Sequence, residues 1–460
     1  MDFSQKLLFG SFTAFSVFEM SAAENYNVVF ILVDDLGWHD TSVYGNKVIQ
    51  TPNIDVLYQN GVLFTDAYSA SPVSSPTRAA LLTGKSPARL QLTAHIQGRG
   101  FHFVPQNANL IPAPSKMFLP LEEVTIAEIF KSKLYKTCFI GKWHLACADT
   151  LGIGCVDKYP DKQGFDINVA GCAKGQTDSY FDPYGSGFPN LPSRQKGEYL
   201  TDRLTDDACA FIDENRENPF FLYLSFYNVH TPIQGKKELV DKYVKLNSTE
   251  IFKPAYAAQV ESVDLAVGKL ISRINQLGLS SKTIVVFYSD NGGYLEATNN
   301  LPLRSGKGHL YEGGIRVPLI ISAPNLPKKQ KFTQPVNSMD LMPTLLEICG
   351  IQKPDSLKFD GISLIPFLKN PDKLVSRDLF WHYPNYSNTL NRPASAIRSG
   401  NYKLIEFYDN GNVELYNLKK DISESTDLSK QRKDLVKQLK NKLHKLLKSN
   451  NAIFPKRINN

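Results

Sequence analysis

Four short apolar segments, each rich in β-branched or aromatic residues and each ending in polar chemistry, constrain this chain more than any other feature. They are NVVFILV (Asn27–Val33), which ends in Asp34-Asp35, and YKTCFIG, which ends at Gly141 and runs into Lys142-Trp143-His144. The others are FFLYLSF (Phe220–Phe226), followed by Asn228 and His230, and TIVVFYS (Thr283–Ser289), which ends in Asp290-Asn291-Gly292. Such runs read as strands buried on both faces of a parallel sheet. Between the last two lies AYAAQVESVDLAVGKLISRINQLG, an amphipathic helix that stops at Gly278. In open α/β sheets the loops after the strands form the ligand crevice. One carboxylate pair after a strand is explained as well by capping of the next helix. Four ends carrying Asp-Asp, Lys-x-His, His and Asp-Asn are expected to converge on one site.

A chain of 460 residues with 42% hydrophobic and 21% charged content is an ordinary globular composition with room for one large and one smaller domain. The net charge of +7 would suit an anionic partner, but much of the excess sits in KQRKDLVKQLKNKLHKLLK. There Leu435, Leu439, Leu443, Leu446 and Leu447 make an apolar stripe at helical spacing, so the lysines read as the solvated face of a terminal helix and no nucleic-acid partner is expected. At the other end, Lys6, the apolar run LLFGSFTAFSVF and Ser21-Ala22-Ala23 describe a signal peptide over residues 1–23. The run is too short for stable membrane insertion, so the mature chain is expected to begin near Glu24 and to be periplasmic or secreted. Export permits disulfides among the 6 cysteines, of which Cys147, Cys155 and Cys172 lie close in sequence, while Cys138 and Cys349 fall in apolar segments that favour buried thiols. The absence of a CxxC pair argues against a zinc or thiol-redox site.

Asp34, Asp35, Asp290 and Asn291 offer oxygen alone, a donor set suited to one hard divalent cation, calcium or magnesium. Lys142, Lys307, Arg78 and two histidines would surround it with positive charge, which fits a sulfate or phosphate ester. The nucleophile candidate lies in SSPTRAALLTG, Ser74 to Gly84. By local rules Ser75 would be an N-cap and Pro76 the first helical residue, with Ser74 close to a helix N-terminus that favours anions.

That segment resembles the signature of the sulfatase family, within the alkaline-phosphatase-like superfamily: Cys or Ser, any residue, Pro, any residue, Arg, then a small apolar stretch ending in Thr-Gly. The similarity extends through VDDLGW (Val33–Trp38), TPNID (Thr51–Asp55), GKWHL (Gly141–Leu145), SDNGG (Ser289–Gly293), LRSGKGHLYEGGIRVP (Leu303–Pro318), YKLIEF and ELYNL. The resemblance implies a large mixed, mostly parallel sheet flanked by helices over residues 24–366, and a small antiparallel sheet with one helix over 367–460. It implies oxidation of Ser74 to formylglycine by a serine-type sulfatase-maturating radical enzyme. One hydroxyl of the hydrated aldehyde attacks sulfur, and loss of the second hydroxyl's proton then releases sulfate; an unmodified serine lacks that second hydroxyl. Carried over to this sequence, Asp34, Asp35, Asp290, Asn291 and the modified Ser74 would bind calcium. Arg78 would fix the hydrated aldehyde, Lys142 and Lys307 would hold sulfate oxygens, His144 would assist elimination, and His230 would protonate the departing oxygen.

The chain departs from the family pattern where GKWHL continues into Ala146-Cys147 and a Cys- and Gly-containing insertion to about Arg194, and at His309. Beyond Pro366, AIRSGNYKLIEFY and GNVELYNL joined by Asp409-Asn410-Gly411 signal a β-hairpin. Candidate sugar-contacting residues are His95, Arg99, His102, His309, Asn388 and Arg392. General similarity to arylsulfatase and N-acetylgalactosamine sulfatase relatives implies a sulfated carbohydrate substrate, galactose or N-acetylgalactosamine sulfate in a glycan such as a glycosaminoglycan. Two alternatives stand beside it: a phosphate or phosphonate ester hydrolase of the same superfamily, and a non-catalytic sulfated-glycan binder if Ser74 is not matured.

Overall fold

The four apolar runs lie together at the centre of one sheet. The structure, a computed structural model, describes residues 25–96, 103–147, 154–248, 253–370 and 377–458; the expected signal peptide lies outside them. Among the described residues eight strands form the main sheet: β1 (Asn27–Val33), β2 (Val62–Phe64), β3 (Lys136–Gly141), β4 (Ile167–Val169), β5 (Phe220–Ser225), β6 (Thr283–Ser289), β7 (Leu319–Ser322) and β8 (Gln330–Phe332). Their spatial order is β8-β2-β7-β6-β1-β5-β3-β4. β1 pairs in parallel with β5 and β6, and β3 pairs in parallel with β5 and β4. Only β7 runs antiparallel to its neighbours. Every residue of β1, β5 and β6 is buried, which is why their sequences are continuously apolar and do not alternate.

The signature forms helix α1, Ser74–Thr83, buried along its whole length. It starts earlier than the capping rules predict: Ser74 is already helical and Val73 is the cap, whose side chain makes no capping hydrogen bond. Ser75 is not the N-cap, because its hydroxyl accepts a hydrogen bond from the Ile96 amide at 3.0 Å instead. The long amphipathic helix α2 spans Pro254–Gln276, with Gly278 at φ 69° just beyond it.

Past residue 377 the period changes to antiparallel β. Strands β9 (Asp378–Tyr383), β10 (Ala394–Ser399), β11 (Tyr402–Phe407) and β12 (Val413–Asn417) form a meander in sequence order. Helix α3 (Lys433–Ser449) covers it, with Leu439, Leu443 and Leu447 buried against Ile397, Leu404 and Leu415. Each such leucine contributes about 1.5–3 kcal/mol through the water it sheds, so the stripe read from sequence suffices to dock the helix. Leu435 and Leu446 are only partly buried. Cys147 and Cys155 form a disulfide, whereas Cys138, Cys172 and Cys349 are buried thiols.

His382 in β9 gives this subdomain an acid sensitivity. It is 4% exposed and held between Ser395 Oγ (2.8 Å) and the Ile453 carbonyl (3.0 Å). Burial pushes its pKa down to about 4. The unfolded chain takes up a proton near pH 6.5 that the folded chain refuses until about pH 4, so stability is lost as pH falls through that window. Comparison of urea unfolding for wild type and His382→Gln isolates the effect. Any advantage of wild type at pH 7 should shrink by up to about 3 kcal/mol by pH 4; a constant difference would contradict the assignment.

Candidate active site

The parallel sheet brings the C-terminal ends of β1 and β6 side by side, and the first polar residues after each meet there. Asp34, Asp35, Asp290 and Asn291 are all buried, and one carboxylate oxygen from each aspartate lies within 4.8 Å of the others. Asp35 sits at φ 59°, a left-handed conformation held by its amide donating to Asp290 Oδ1 at 3.1 Å. The Asn291 amide nitrogen donates to Asp35 Oδ1 (2.8 Å), which leaves its oxygen directed at Ser74, 3.4 Å away. Ser74 Oγ is also 3.2 Å from Asp34 Oδ1 and 3.3 Å from Lys142 Nζ. Thr77 anchors the approach to α1 by donating to the Ser71 carbonyl (3.0 Å) and accepting from the Ser71 amide (3.1 Å).

β3 delivers the next group. Gly141 adopts φ 101°, and a Cβ there would lie 1.8 Å from the Ser225 carbonyl oxygen, so only glycine fits. Lys142 follows, fully buried, with Nζ 2.6 Å from Asp34 Oδ2. Lys307 Nζ lies 2.7 Å from Asp35 Oδ2. Burial would raise the pKa of both aspartates, but Lys142 beside Asp34 and Lys307 beside Asp35, with His230 acting on both, reverse the shift and hold the two ionised. Asp290 remains raised by burial and by the Asp34 charge, despite Arg78.

Arg78 reaches three of the strand ends at once. Its guanidinium donates to Asp290 Oδ2 from Nε (3.0 Å) and Nη2 (2.7 Å), and from Nη1 to the Lys142 carbonyl (2.8 Å) and Ser225 Oγ (2.6 Å). Nη2 also stands 3.5 Å from Asp34. Through these bonds Arg78 orients Asp290 and the Lys142 backbone beside Ser74.

The two histidines have defined tautomers. His144, at φ 56°, donates from Nε2 to the Ile96 carbonyl at 2.7 Å, and its Nδ1 has no hydrogen-bond partner among the described residues. Ser75 therefore matters through Ile96: it fixes the segment that fixes His144. Burial, reinforced by Lys142, lowers the His144 pKa well below its ordinary value, so Nδ1 is a lone-pair acceptor. His230 donates from Nδ1 to the Thr231 carbonyl (2.9 Å) and has Nε2 3.7 Å from Asp35. Burial and Lys307 lower its pKa against the pull of Asp35.

Asp35, Ser74, Lys142, His144, His230 and Lys307 form the floor of a cavity of about 410 Å³, with Asp34, Asp290, Asn291 and Arg78 off its lining. Of the expected sugar contacts, His95 and Asn388 line it, whereas Arg99 and His102 lie outside the described residues. His309 and Arg392 do not line it. His309 Nε2 is tied to the Thr389 carbonyl at 3.1 Å. Arg392 is held by Asp409 through two bonds of 2.7 Å and lies over the Phe407 ring. The sequence reading missed Lys174, Gln176, Tyr294 and Glu296 on the walls. Tyr294 and Glu296 follow directly on Ser289-Asp290-Asn291-Gly292-Gly293, and extending that motif would have found them.

The donor set fits a hard cation: three carboxylates, an amide oxygen aimed inward and the Ser74 oxygen, with no sulfur or nitrogen among them.

Residues 26–351 match the family described as Sulfatase, and residues 305–449 match N-sulphoglucosamine sulphohydrolase, C-terminal. A protein named Sulfatase from Formosa agariphila is 33% identical, over 98% of this chain and 94% of that one. N-acetylgalactosamine-6-sulfatase of Rattus norvegicus is 30% identical, over 87% of this chain and 75% of that protein. The crystal structure of Ps i-CgsB in complex with k-i-k-neocarrahexaose superimposes with a TM-score of 0.78 at 30% identity, covering 93% of this chain and 94% of that one. The chain thus belongs to the sulfatase family and is a sulfuric ester hydrolase.

Proposed function

We propose that the protein is an exported carbohydrate sulfatase that hydrolyses a sulfate ester on galactose or N-acetylgalactosamine within a glycan, using formylglycine made from Ser74. The observation that carries this reading is the position of Ser74 Oγ, between Asp34, Asn291 and Lys142 at the floor of the cavity. The relative named for N-acetylgalactosamine 6-sulfate and the neighbour solved with a carrageenan oligosaccharide support the sugar class. Among the described residues there is one carboxylate cluster suited to a metal, whereas a two-metal phosphatase needs a second. The disulfide and the N-terminal leader pattern support a periplasmic or secreted location; no described helix is long and apolar enough to cross a membrane. Residues 24–366 would form the catalytic domain and 367–460 the C-terminal subdomain.

Asp34, Asp35, Asp290 and Asn291, with residue 74, would hold one calcium ion. When bound, the ion supplies Lewis-acid stabilisation of charge at the sulfate oxygens. A hydrated aldehyde at position 74 would supply a nucleophilic hydroxyl and a second hydroxyl whose proton can be removed. Lys142 and Lys307 bind and orient the sulfate group, already fixed in direction by Asp34 and Asp35. Nδ1 of His144 accepts the proton of the second hydroxyl. Nε2 of His230, once protonated, delivers its proton to the departing sugar oxygen, with the Thr231 carbonyl keeping the ring in orientation.

His230→Ala should therefore slow release from alkyl sugar sulfates by about 10²–10⁴-fold and affect activated aryl sulfates far less, since only the poor leaving group needs the proton. Equal losses on both would remove His230 from the acid role. The primary test is the mass of the peptide spanning residue 74 after co-production with a serine-type maturating enzyme, paired with sulfate release from monosulfated sugars. A loss of about two mass units together with release supports the reading. Release from an unmodified serine would overturn it.

A further inference from the structure

Helix α3 carries a charge pattern that the sulfate site does not use. Its 17 residues include six lysines and a single acidic residue, Asp434. Lys440 and His444 share Glu406 at 2.8 and 2.7 Å, and Lys442 pairs with Asp378 at 3.1 Å. Lys433, Lys437, Lys445 and Lys448 are exposed and have no ion-pair partner among the described residues. At the helical repeat Lys433, Lys437, Lys440, His444 and Lys448 fall on one stripe about 22 Å long, with Lys445 at its shoulder. Local energetics favour only the end of this row, where Lys448 faces the negative end of the helix dipole. Like charges spaced three and four residues apart repel, and Lys433 stands in the first turn, at the positive end of the helix dipole.

The neighbouring chemistry narrows the partner. The apolar face of α3 is already buried on the β-sheet, so the helix has no free side to insert into a bilayer. The helix contains no Phe, Tyr, Trp or arginine, and its one imidazole, His444, is tied to Glu406, which disfavours base stacking and bidentate phosphate recognition. What remains is a linear array of flexible point charges, complementary to a flexible polyanion with repeated monovalent groups.

We propose that the solvent face of α3 is an ancillary surface that binds a polysulfated glycan chain, holding the polymer whose sulfate esters the cavity cleaves. The proposal rests on the carbohydrate-sulfatase reading, and its test separates the two. Binding of fluorescent dextran sulfate is measured by anisotropy on the Ser74→Ala protein, which reads the surface without turnover. Replacing Lys433, Lys437, Lys445 and Lys448 by Gln should weaken binding tenfold or more. Replacing the exposed Lys116, Lys196, Lys282 and Lys328 by Gln, the same change in net charge, should weaken it by less than about twofold. Affinity should also fall steeply with added salt. In protein carrying Ser74, the α3 variant should raise KM for a polymeric sulfated glycan and leave KM for a monosulfated sugar unchanged. Equal weakening by both lysine sets, unaltered binding, or tighter binding to single-stranded oligothymidylate or phosphatidylserine vesicles than to dextran sulfate would overturn the proposal. If no glycan releases sulfate, the sulfatase reading fails while the anisotropy result still decides the surface.

Discussion

Ser74→Ala is expected to cut sulfate release by about 10⁴-fold or more while leaving the melting temperature within about 2 °C of wild type. The two halves of that expectation have separate causes. Ser74 is 2% exposed, yet its hydroxyl faces the cavity and is surrounded by the polar floor rather than packed in the core. Removing it leaves no void among apolar side chains. It also strands no partner, because Asp34 keeps Lys142 and Asn291 keeps Asp35. The nucleophile, by contrast, has no substitute. Thr77 is engaged at both donor and acceptor with Ser71, and Ser75 with Ile96. The measurement is sulfate release under saturating substrate, paired with thermal unfolding of the same preparation. Activity within tenfold of wild type would mean that another group attacks sulfur, and the role assigned to position 74 would fall.

How much of this site can be read from sequence follows from where its residues sit. Asp34, Asp35, Asp290 and Asn291 are legible because they occupy the first two positions after buried strands, and the parallel sheet forces such positions into one place. Lys142 and His144 are legible for the same reason, two strands out from β1. The walls are less so. Lys174 and Gln176 lie in an irregular insertion, where no periodicity tells which side chains turn inward. Arg392 and His309 lie off the cavity lining because each has a local partner: Asp409 for the guanidinium, the Thr389 carbonyl for the imidazole. The start of α1 differs for a similar reason, since Ser75 has a tertiary donor, Ile96, that no local capping rule anticipates. Arg78 is recognisable by position, but the direction of its five donors depends on Asp290, Ser225 and the Lys142 carbonyl, each from a different strand end.

Lys403→Met is expected to destabilise the protein by about 3–5 kcal/mol at pH 8, with part of that loss recovered near pH 5.5. Lys403 projects from β11, is fully buried, and lies 3.0 Å from Glu312 Oε1 and 2.8 Å from Glu424 Oε1. Around it, Arg316 holds Glu312 (2.8 Å) and Asp66 (2.7 Å), and Arg398 holds Asp66 (2.8 Å). Burial would raise Glu312, but Lys403, Arg316 and Arg398 outweigh it and hold its pKa at about 2. Glu424 has fewer cations: burial pushes it up to about 7 although Lys403 pulls the other way. Removing the lysine therefore leaves one carboxylate largely without compensation in a dry site. Its folded pKa must rise further above the unfolded value of about 4.5. The folded state then holds a proton that the unfolded chain releases, so stability falls as pH rises and the deficit is larger at pH 8 than at 5.5. Adding Glu424→Gln to Lys403→Met should remove most of that pH dependence. Unfolding midpoints in urea at the two pH values test this, and a deficit that is small or independent of pH would contradict it. The consequence reaches the site, because Glu312 begins the short helix Glu312–Ile315, whose Gly314 carbonyl accepts the Gly292 amide at 3.0 Å. Gly292 directly follows Asn291, so loosening this buried network should also weaken the hold on sulfate, seen as a raised KM before any loss of folded protein.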